Sequence, residues 1–162
     1  MRIDELARSH WPDAARIYAE GLDQGTFEER VPGWEEWDEG HLAAPRLVAL
    51  ADDGDEGVLG WAALAPVSRR ECYRGVSEVS VYVARAARRR GVGRALLAEL
   101  VRRADEAGIW TIQAGILAGN AASVALHESC GFRIVGTRER LARKRGAWLD
   151  VVLMERRSEI VS

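Results

Sequence analysis

The sequence predicts a mixed α/β domain, and three observations carry that expectation. Two strand-like segments are joined by an acidic turn. A third strand runs through a glycine-rich loop into a long amphipathic helix and on to a fourth strand. Two more apolar segments close the chain around Lys144–Gly146. With 162 residues the chain supplies one compact core and too little for two, so a single domain over residues 1–162 is expected. Its 48% hydrophobic and 30% charged residues are those of an ordinary globular protein, which sets disorder aside.

The elements follow in order. His10 to Leu22 reads as a helix, with Trp11, Ala14, Ala15, Tyr18 and Leu22 on one side. A polar stretch, Asp23 to Gly33, leads to a short helix around Trp34 to Leu42. Arg46–Ala51 and Val58–Ala65 are strands joined by the turn Asp52–Gly57, and Pro66 to Gly75 is a loop. Ser77 to Val83 alternates: Val79, Val81 and Val83 on one face, Glu78, Ser80 and Tyr82 on the other. Gly91 to Ala107 is a helix striped by Leu96, Leu97, Leu100, Val101 and Ala104, and Gly108 stops it. Ile109 to Gly115 is a strand. Asn120 caps a helix through Cys130 that Gly131 closes, and Phe132–Leu141 and Trp148–Glu155 form a last hairpin. Between the third strand and the fourth, a right-handed parallel crossover is expected.

Several function classes are disfavoured. The longest nearly unbroken apolar stretch, Leu59 to Val67, is too short for a membrane span. Arg2, Asp4 and Glu5 stand where a secretory signal would be apolar, and Cys72 and Cys130 are too few for a disulfide framework. A cytoplasmic protein is expected. His10, His41 and His127 are scattered, so no metal is expected. A net charge of −2 argues against bulk attraction to nucleic acid or membrane. Arg85, Arg88, Arg89, Arg90 and Arg94 do cluster, but Lys144 is the only lysine. Arginine is this chain's habitual cation, which weakens its value as a sign of anion binding.

The stretch Val79–Leu97 carries the most chemistry. A strand enters a tight loop that opens a helix, with Gly91 and Gly93 at the junction. Unpaired N–H groups and the positive end of the helix dipole make such a junction a phosphate site. Glycine there keeps a Cβ from separating phosphate and backbone. A P-loop would need Gly-Lys-Ser/Thr, where this chain has Gly93-Arg94-Ala95. The dinucleotide fingerprint would need a third glycine, where it has Leu96. What remains is Arg88-x-x-Gly91-x-Gly93.

That pattern resembles the Gln/Arg-x-x-Gly-x-Gly/Ala signature of the GNAT acetyltransferases. The chain is similar in particular to their phosphinothricin or methionine sulfoximine N-acetyltransferase branch. Gly25-Thr-Phe-Glu28, Gly60-Trp-Ala-Ala63, Glu78–Val83, Gly119-Asn120, Leu126-His-Glu128, Gly131-Phe132 and Gly146-x-Trp148-x-Asp150 share the order and spacing of that branch. The resemblance implies a twisted mixed sheet of about seven strands flanked by about four helices. It further implies acetyl-CoA as cosubstrate, a homodimer, and acetyl transfer to the α-amine of a small amino acid or analogue.

It also implies roles. An α-amine with a pKa of ~8 is mostly protonated at neutral pH and needs a base. Glu78 matches the family's general base; burying a carboxylate on a central strand is otherwise costly. The plain alternative is a solvent-facing strand-end glutamate. His127 stands where most relatives have a tyrosine that protonates the leaving thiolate, and this branch has histidine. By itself it would read as a packing residue beside Ser123 and Cys130. Backbone groups of Val81 and Val83 would pair with the pantetheine arm. Arg88, Arg89, Arg90, Gly91, Val92, Gly93 and Arg94 would hold the pyrophosphate, and Asn120 and Ser123 would contact the arm. Arg70 and Tyr73 would take the acceptor's carboxylate, with Phe27 and Glu28 lining a small closed pocket. Ser68 replaces the first of two basic residues found in relatives. Trp34, Trp37, Trp61 and Trp148 read as core or interface, and Asp150 as structural. Other readings are a peptide N-terminus, polyamine or aminoglycoside as acceptor, a non-catalytic acyl-CoA sensor, or a nucleic-acid module on Arg85–Arg94.

Overall fold

The computed structural model describes residues 1–23, 26–52 and 57–162. Seven strands form one sheet in the order β1-β2-β3-β4-β5-β7-β6. These are β1 (Arg2–Glu5), β2 (Arg46–Leu50), β3 (Val58–Pro66), β4 (Val76–Val83), β5 (Thr111–Leu117), β6 (Arg133–Lys144) and β7 (Ala147–Arg157). The helices are α1 (Trp11–Gly21), α2 (Trp34–Gly40), α3 (Val92–Glu106) and α4 (Ala121–Glu128). The expected seven strands and four helices are therefore present. Of the expected segments, Gly25 and most of the turn Asp52–Gly57 lie outside the described residues.

Sequence patterning missed β1. Arg2-Ile-Asp-Glu5 is three-quarters charged and stands at the sheet edge, paired antiparallel with β2 from Arg2↔Leu50 to Glu5↔Leu47. An edge strand needs only one satisfied ladder and little burial, so it leaves no apolar alternation to read. The closing hairpin runs longer than expected because its two-residue turn, Arg145–Gly146, lets pairing reach Lys144↔Ala147.

Both faces of the sheet are covered. Val79, Val81 and Val83 look towards α3 and α4, where the apolar stripe Leu96, Leu97 and Leu100 is fully buried. The opposite face of β3 and β4 carries Trp61 and Tyr82, which are direct cross-strand partners. Their rings stack at 4.6 Å, and Tyr18 from α1 stacks on both. Trp37 of α2 meets Trp61 edge-on at 5.6 Å, and Trp11 and Trp34 extend the aromatic cluster. Trp37 and Trp61 are thus core, as expected, while Trp34 is half-buried and Trp148 is 57% exposed.

The hairpin tip is tied back to the loop after α1. Lys144 Nζ donates to the carbonyls of Leu22, at 2.6 Å, and Thr26, at 2.8 Å. A cation beside Leu22 O also suits the negative end of α1. Arg145 adds a backbone bond to Glu29 Oε1 and an ion pair with Asp23. This clasp fixes the residues that carry Phe27 and Glu28.

Candidate active site

The central geometric fact is where β4 and β5 part. They pair in parallel at Val76↔Thr111, Ser77↔Ile112 and Glu78↔Gln113, and no further. On its other side β4 stays paired with β3 as far as Val83. From Val79 onward, the β4 backbone therefore offers hydrogen-bonding groups that β5 does not use. An open cleft of about 1410 Å³ occupies the divergence. Val81–Val83 line one wall, and Leu117–Asn120 with Ser123 and Leu126 of α4 line the other. Ile17, Glu20 and Gly21 of α1 and Trp148–Asp150 at the start of β7 complete it.

The N-terminus of α3 opens into this cleft. Arg88, Arg89, Gly91, Val92, Gly93 and Arg94 all line it; Arg90 does not. Gly91 is the N-cap with φ +80°, and Arg89 is also left-handed at φ +62°. Intrahelical bonding starts with Ala95 N to Gly91 O, so the amides of Val92, Gly93 and Arg94 have no helical acceptor. The backbone and the packing give these glycines reasons of their own. A Cβ on Gly91 would meet nothing within 4 Å; its left-handed φ is what demands glycine. A Cβ on Gly93 would sit 3.3 Å from Leu126 and 3.4 Å from Val83, so glycine there lets α3, α4 and β4 approach. Many arginines elsewhere in the chain are neutralised by a neighbour. Arg16, Arg30, Arg46, Arg102, Arg103 and Arg156 are each engaged by a carboxylate. Among the described residues no carboxylate pairs with Arg88, Arg89 or Arg94. Unneutralised cations around free helix N–H groups are the donor set for a multiply charged phosphate anion. Replacing both Arg88 and Arg94 by Ala is expected to raise the KM for acetyl-CoA about 10- to 100-fold with kcat little changed, and to flatten its salt dependence. Initial-rate kinetics at two ionic strengths check this.

Glu78 sits at the vertex of the divergence. It is exposed, which corrects the expectation of a buried carboxylate. Alternation puts it on the Tyr82 face, but the aromatic cover from α1 and α2 lies over Trp61 and Tyr82 further along the strand. Its Oε2 accepts from Gln113 Nε2 at 2.9 Å. Phe27 lies on this face too, its ring 3.9 Å from where a Cβ on Gly115 would stand. Thr26 anchors that loop by accepting from the Tyr82 hydroxyl at 2.7 Å. Burial pushes the Tyr82 and Tyr18 hydroxyls up, so both phenols stay protonated.

The residues expected to bind the acceptor lie outside the large cleft. Glu28, Arg70 and Tyr73 are exposed, and none of them, nor Phe27 or Glu78, lines the large cleft. The small closed pocket expected for the acceptor is therefore not formed by the described residues. Ser68 acts on its own loop, where its Oγ accepts from Arg70 N at 3.2 Å and shapes the approach to the 3₁₀ turn Glu71–Tyr73.

Asn120 caps α4, its Oδ1 accepting from Ser123 N at 3.1 Å, which leaves its amide N–H groups at the cleft wall. His127 is 5% exposed and turned away from the cleft, against Phe132. Its Nδ1 lies 2.7 Å from Ser123 O, and a carbonyl can only accept, so Nδ1 carries the proton. Burial pulls its pKa down, and His41, on Trp37 O at 2.6 Å, is pulled down by burial too. Both are neutral in the folded protein near pH 7. The unfolded chain protonates first as pH falls below about 6.5. Stability is thus full above that pH and is lost as pH drops towards the depressed folded values. Thermal melts from pH 8 to pH 5 should fall most steeply below about 6.5, and His41→Gln with His127→Gln should flatten that region.

Sequence reading passed over Glu20, Leu117, Trp148 and Asp150 as cleft residues, and Gln113 as the partner of Glu78. Gln113 did leave a signal: it is polar within Ile112, Ala114 and Ile116, which alternate inward on β5. Among the described residues no group of three or more His, Cys, Asp or Glu side chains could hold a metal, and no helix is long and apolar enough to cross a membrane.

Comparison with known proteins bears on this geometry. Residues 3–132 match the family model described as the acetyltransferase (GNAT) family. The chain belongs to that family. An L-methionine sulfoximine/L-methionine sulfone acetyltransferase of Pseudomonas paraeruginosa is 39% identical over 67% of this chain, a match spanning 63% of that relative's length. A structure described as ribosomal-protein-alanine N-acetyltransferase from Brucella melitensis superposes with TM-score 0.86 at 36% identity, covering 98% of this chain and all of the other. A phosphinothricin acetyltransferase from Sinorhizobium meliloti in complex with AcCoA gives TM-score 0.85 at 31% identity, over 96% and 87%.

Proposed function

We propose that the protein transfers the acetyl group of acetyl-CoA to the α-amine of a small amino acid or analogue, of the phosphinothricin, methionine sulfoximine or methionine sulfone type. The observation that carries this is the divergence of β4 and β5 immediately after Glu78, with the anion-binding N-terminus of α3 in the same cleft. The residues fit acetyl-CoA, which supplies an acyl carbon activated as a thioester. Arg88, Arg89, Arg94 and the amides of Val92–Arg94 hold the pyrophosphate. Backbone groups of Val81 and Val83, with the Asn120 side chain, hold the pantetheine arm.

Glu78 takes a proton from the acceptor's ammonium group. The freed nitrogen attacks the acyl carbon, the C–S bond breaks, and the departing thiolate takes the second proton shed by the new amide. The protein makes no acyl-enzyme: Cys130 is half-buried at the end of α4, with its Sγ 4.0 Å from Arg94 O. His127, neutral and bonded to Ser123, acts as a positioner of α4. Arg70 and Tyr73 receive the acceptor's carboxylate. We further assign a cytoplasmic homodimer, with the exposed Ile134, Val135, Leu141 and Trp148 of the closing hairpin as its apolar surface.

A second acceptor class, the α-amine of a peptide, is favoured by the openness of the Glu78 face and by the likeness to the Brucella protein. Free-thiol release from acetyl-CoA across both classes tests the choice. Turnover with methionine sulfone, methionine sulfoximine or phosphinothricin supports the first. Turnover with alanyl peptides alone moves the acceptor to the second, and none with any amine overturns the assignment.

A further inference from the structure

Glu78 stands in a row of side chains that crosses four strands. Glu78 of β4 is in register with Gln113 of β5, Gln113 with Glu155 of β7, and Glu155 with Arg133 of β6. Neighbouring strands lie about 4.8 Å apart, so side chains on one rung and one face emerge within reach of each other. Arg133 pairs with Glu155, and Gln113 Nε2 donates to Glu78 Oε2 at 2.9 Å. The row consists of two bonded pairs.

Chemistry fixes the orientation of the Gln113 amide. An ionised carboxylate only accepts, so the Gln113 group facing it must be the NH₂. The rung is also the last before β4 and β5 diverge, so no later β5 residue is held beside Glu78 by the ladder. One Glu78 oxygen is engaged by Gln113, and the other is left for an incoming ammonium group. An exposed glutamate has several rotamers, and a base must be aimed.

We propose that Gln113 is the positioning residue for the Glu78 carboxylate, fixing its rotamer so that Oε1 faces the acceptor nitrogen where β4 and β5 part. The proposal rests on the assignment of Glu78 as the base. Gln113 has no contact with acetyl-CoA in this scheme and acts only through Glu78.

Kinetics on the full-length protein test it, using the amine that the thiol-release panel identifies. Gln113→Leu keeps the side-chain bulk and removes the donor; kcat should fall roughly 10- to 100-fold, with the KM for acetyl-CoA and the melting temperature unchanged. Gln113→Glu keeps the shape but donates only when the introduced carboxyl is protonated. Its kcat relative to wild type should therefore climb as pH falls from 8 to 6, which a merely structural role would not produce. In a Glu78→Gln background, Gln113→Leu should have no further effect, because a residue acting through another is not additive with it. A wild-type kcat in Gln113→Leu, or independent losses that multiply in the double variant, overturns the positioning role while leaving Glu78 as base. Full turnover in Glu78→Gln alone overturns both.

Discussion

Glu78→Gln is expected to lower kcat by about 10²- to 10⁴-fold, with the KM for acetyl-CoA unchanged. The substitution keeps the size and planarity of the side chain and removes only the capacity to take a proton at neutral pH. Cofactor affinity should be indifferent, because Glu78 does not line the cleft that Arg88, Arg89 and Arg94 enclose. The residual rate should carry a signature. Without a base, turnover depends on the fraction of acceptor already deprotonated, and an α-amine of pKa ~8 loses that fraction about tenfold per pH unit below it. The variant should therefore recover towards wild type as pH rises from 6.5 to 8.5. Steady-state kinetics over that range, with isothermal titration of CoA as a control on folding, give the answer. A wild-type rate in the variant would remove Glu78 from the mechanism.

Most of this architecture was legible because local and global signals agree. The amphipathic stripe of α3, the alternation of β4 and the glycines at the turns each point to the elements that form. What was not legible depends on distance along the chain. Nothing in Arg2–Glu5 announces a strand, because β1 exists only through the ladder that β2 offers it. Glu78 is legible as a candidate base, but its exposure follows from how far the aromatic cover reaches across β4, a property of α1 and α2. Gly91 and Gly93 were recognisable as a pair, yet one answers to φ and the other to packing against Leu126. Arginine content alone could not tell a ligand from a solvated charge; position around the cleft at the N-terminus of α3 does. His127 shows the limit most sharply. The same helical position would suit a proton donor at the cleft or a neutral ring in the core, and only the turn of α4 against Phe132 decides.

Trp61→Ala is expected to cost about 3–5 kcal/mol of stability and to lower the melting temperature by roughly 6–20 °C. Domains of this size have only about 5–15 kcal/mol in hand, so the loss is a large fraction of the whole. Trp61 is fully buried and joins three elements. It stacks on Tyr82 of β4 and Tyr18 of α1, meets Trp37 of α2 edge-on, and its indole N–H donates to Ala14 O at 3.1 Å. Truncation removes all of this at once and leaves a cavity that rings fixed by their own partners cannot collapse to fill. Trp61→Phe separates the two components, since it keeps much of the stacking and removes only the indole bond to Ala14 O, a carbonyl the α1 ladder also uses, at about 0.5–1.5 kcal/mol. The consequence reaches the cleft. Tyr82 rests on Trp61, lines the cleft wall, and donates to Thr26, which in turn is held by Lys144. A Trp61→Phe protein, still folded at 25 °C, should therefore show a raised KM for both acetyl-CoA and the acceptor. Ile160→Ala, at an exposed position outside the cleft and the closing hairpin, should leave the melting temperature within about 2 °C. Equal melting temperatures for Trp61→Ala and wild type would show that the aromatic cluster is not what holds α1 and α2 to the sheet.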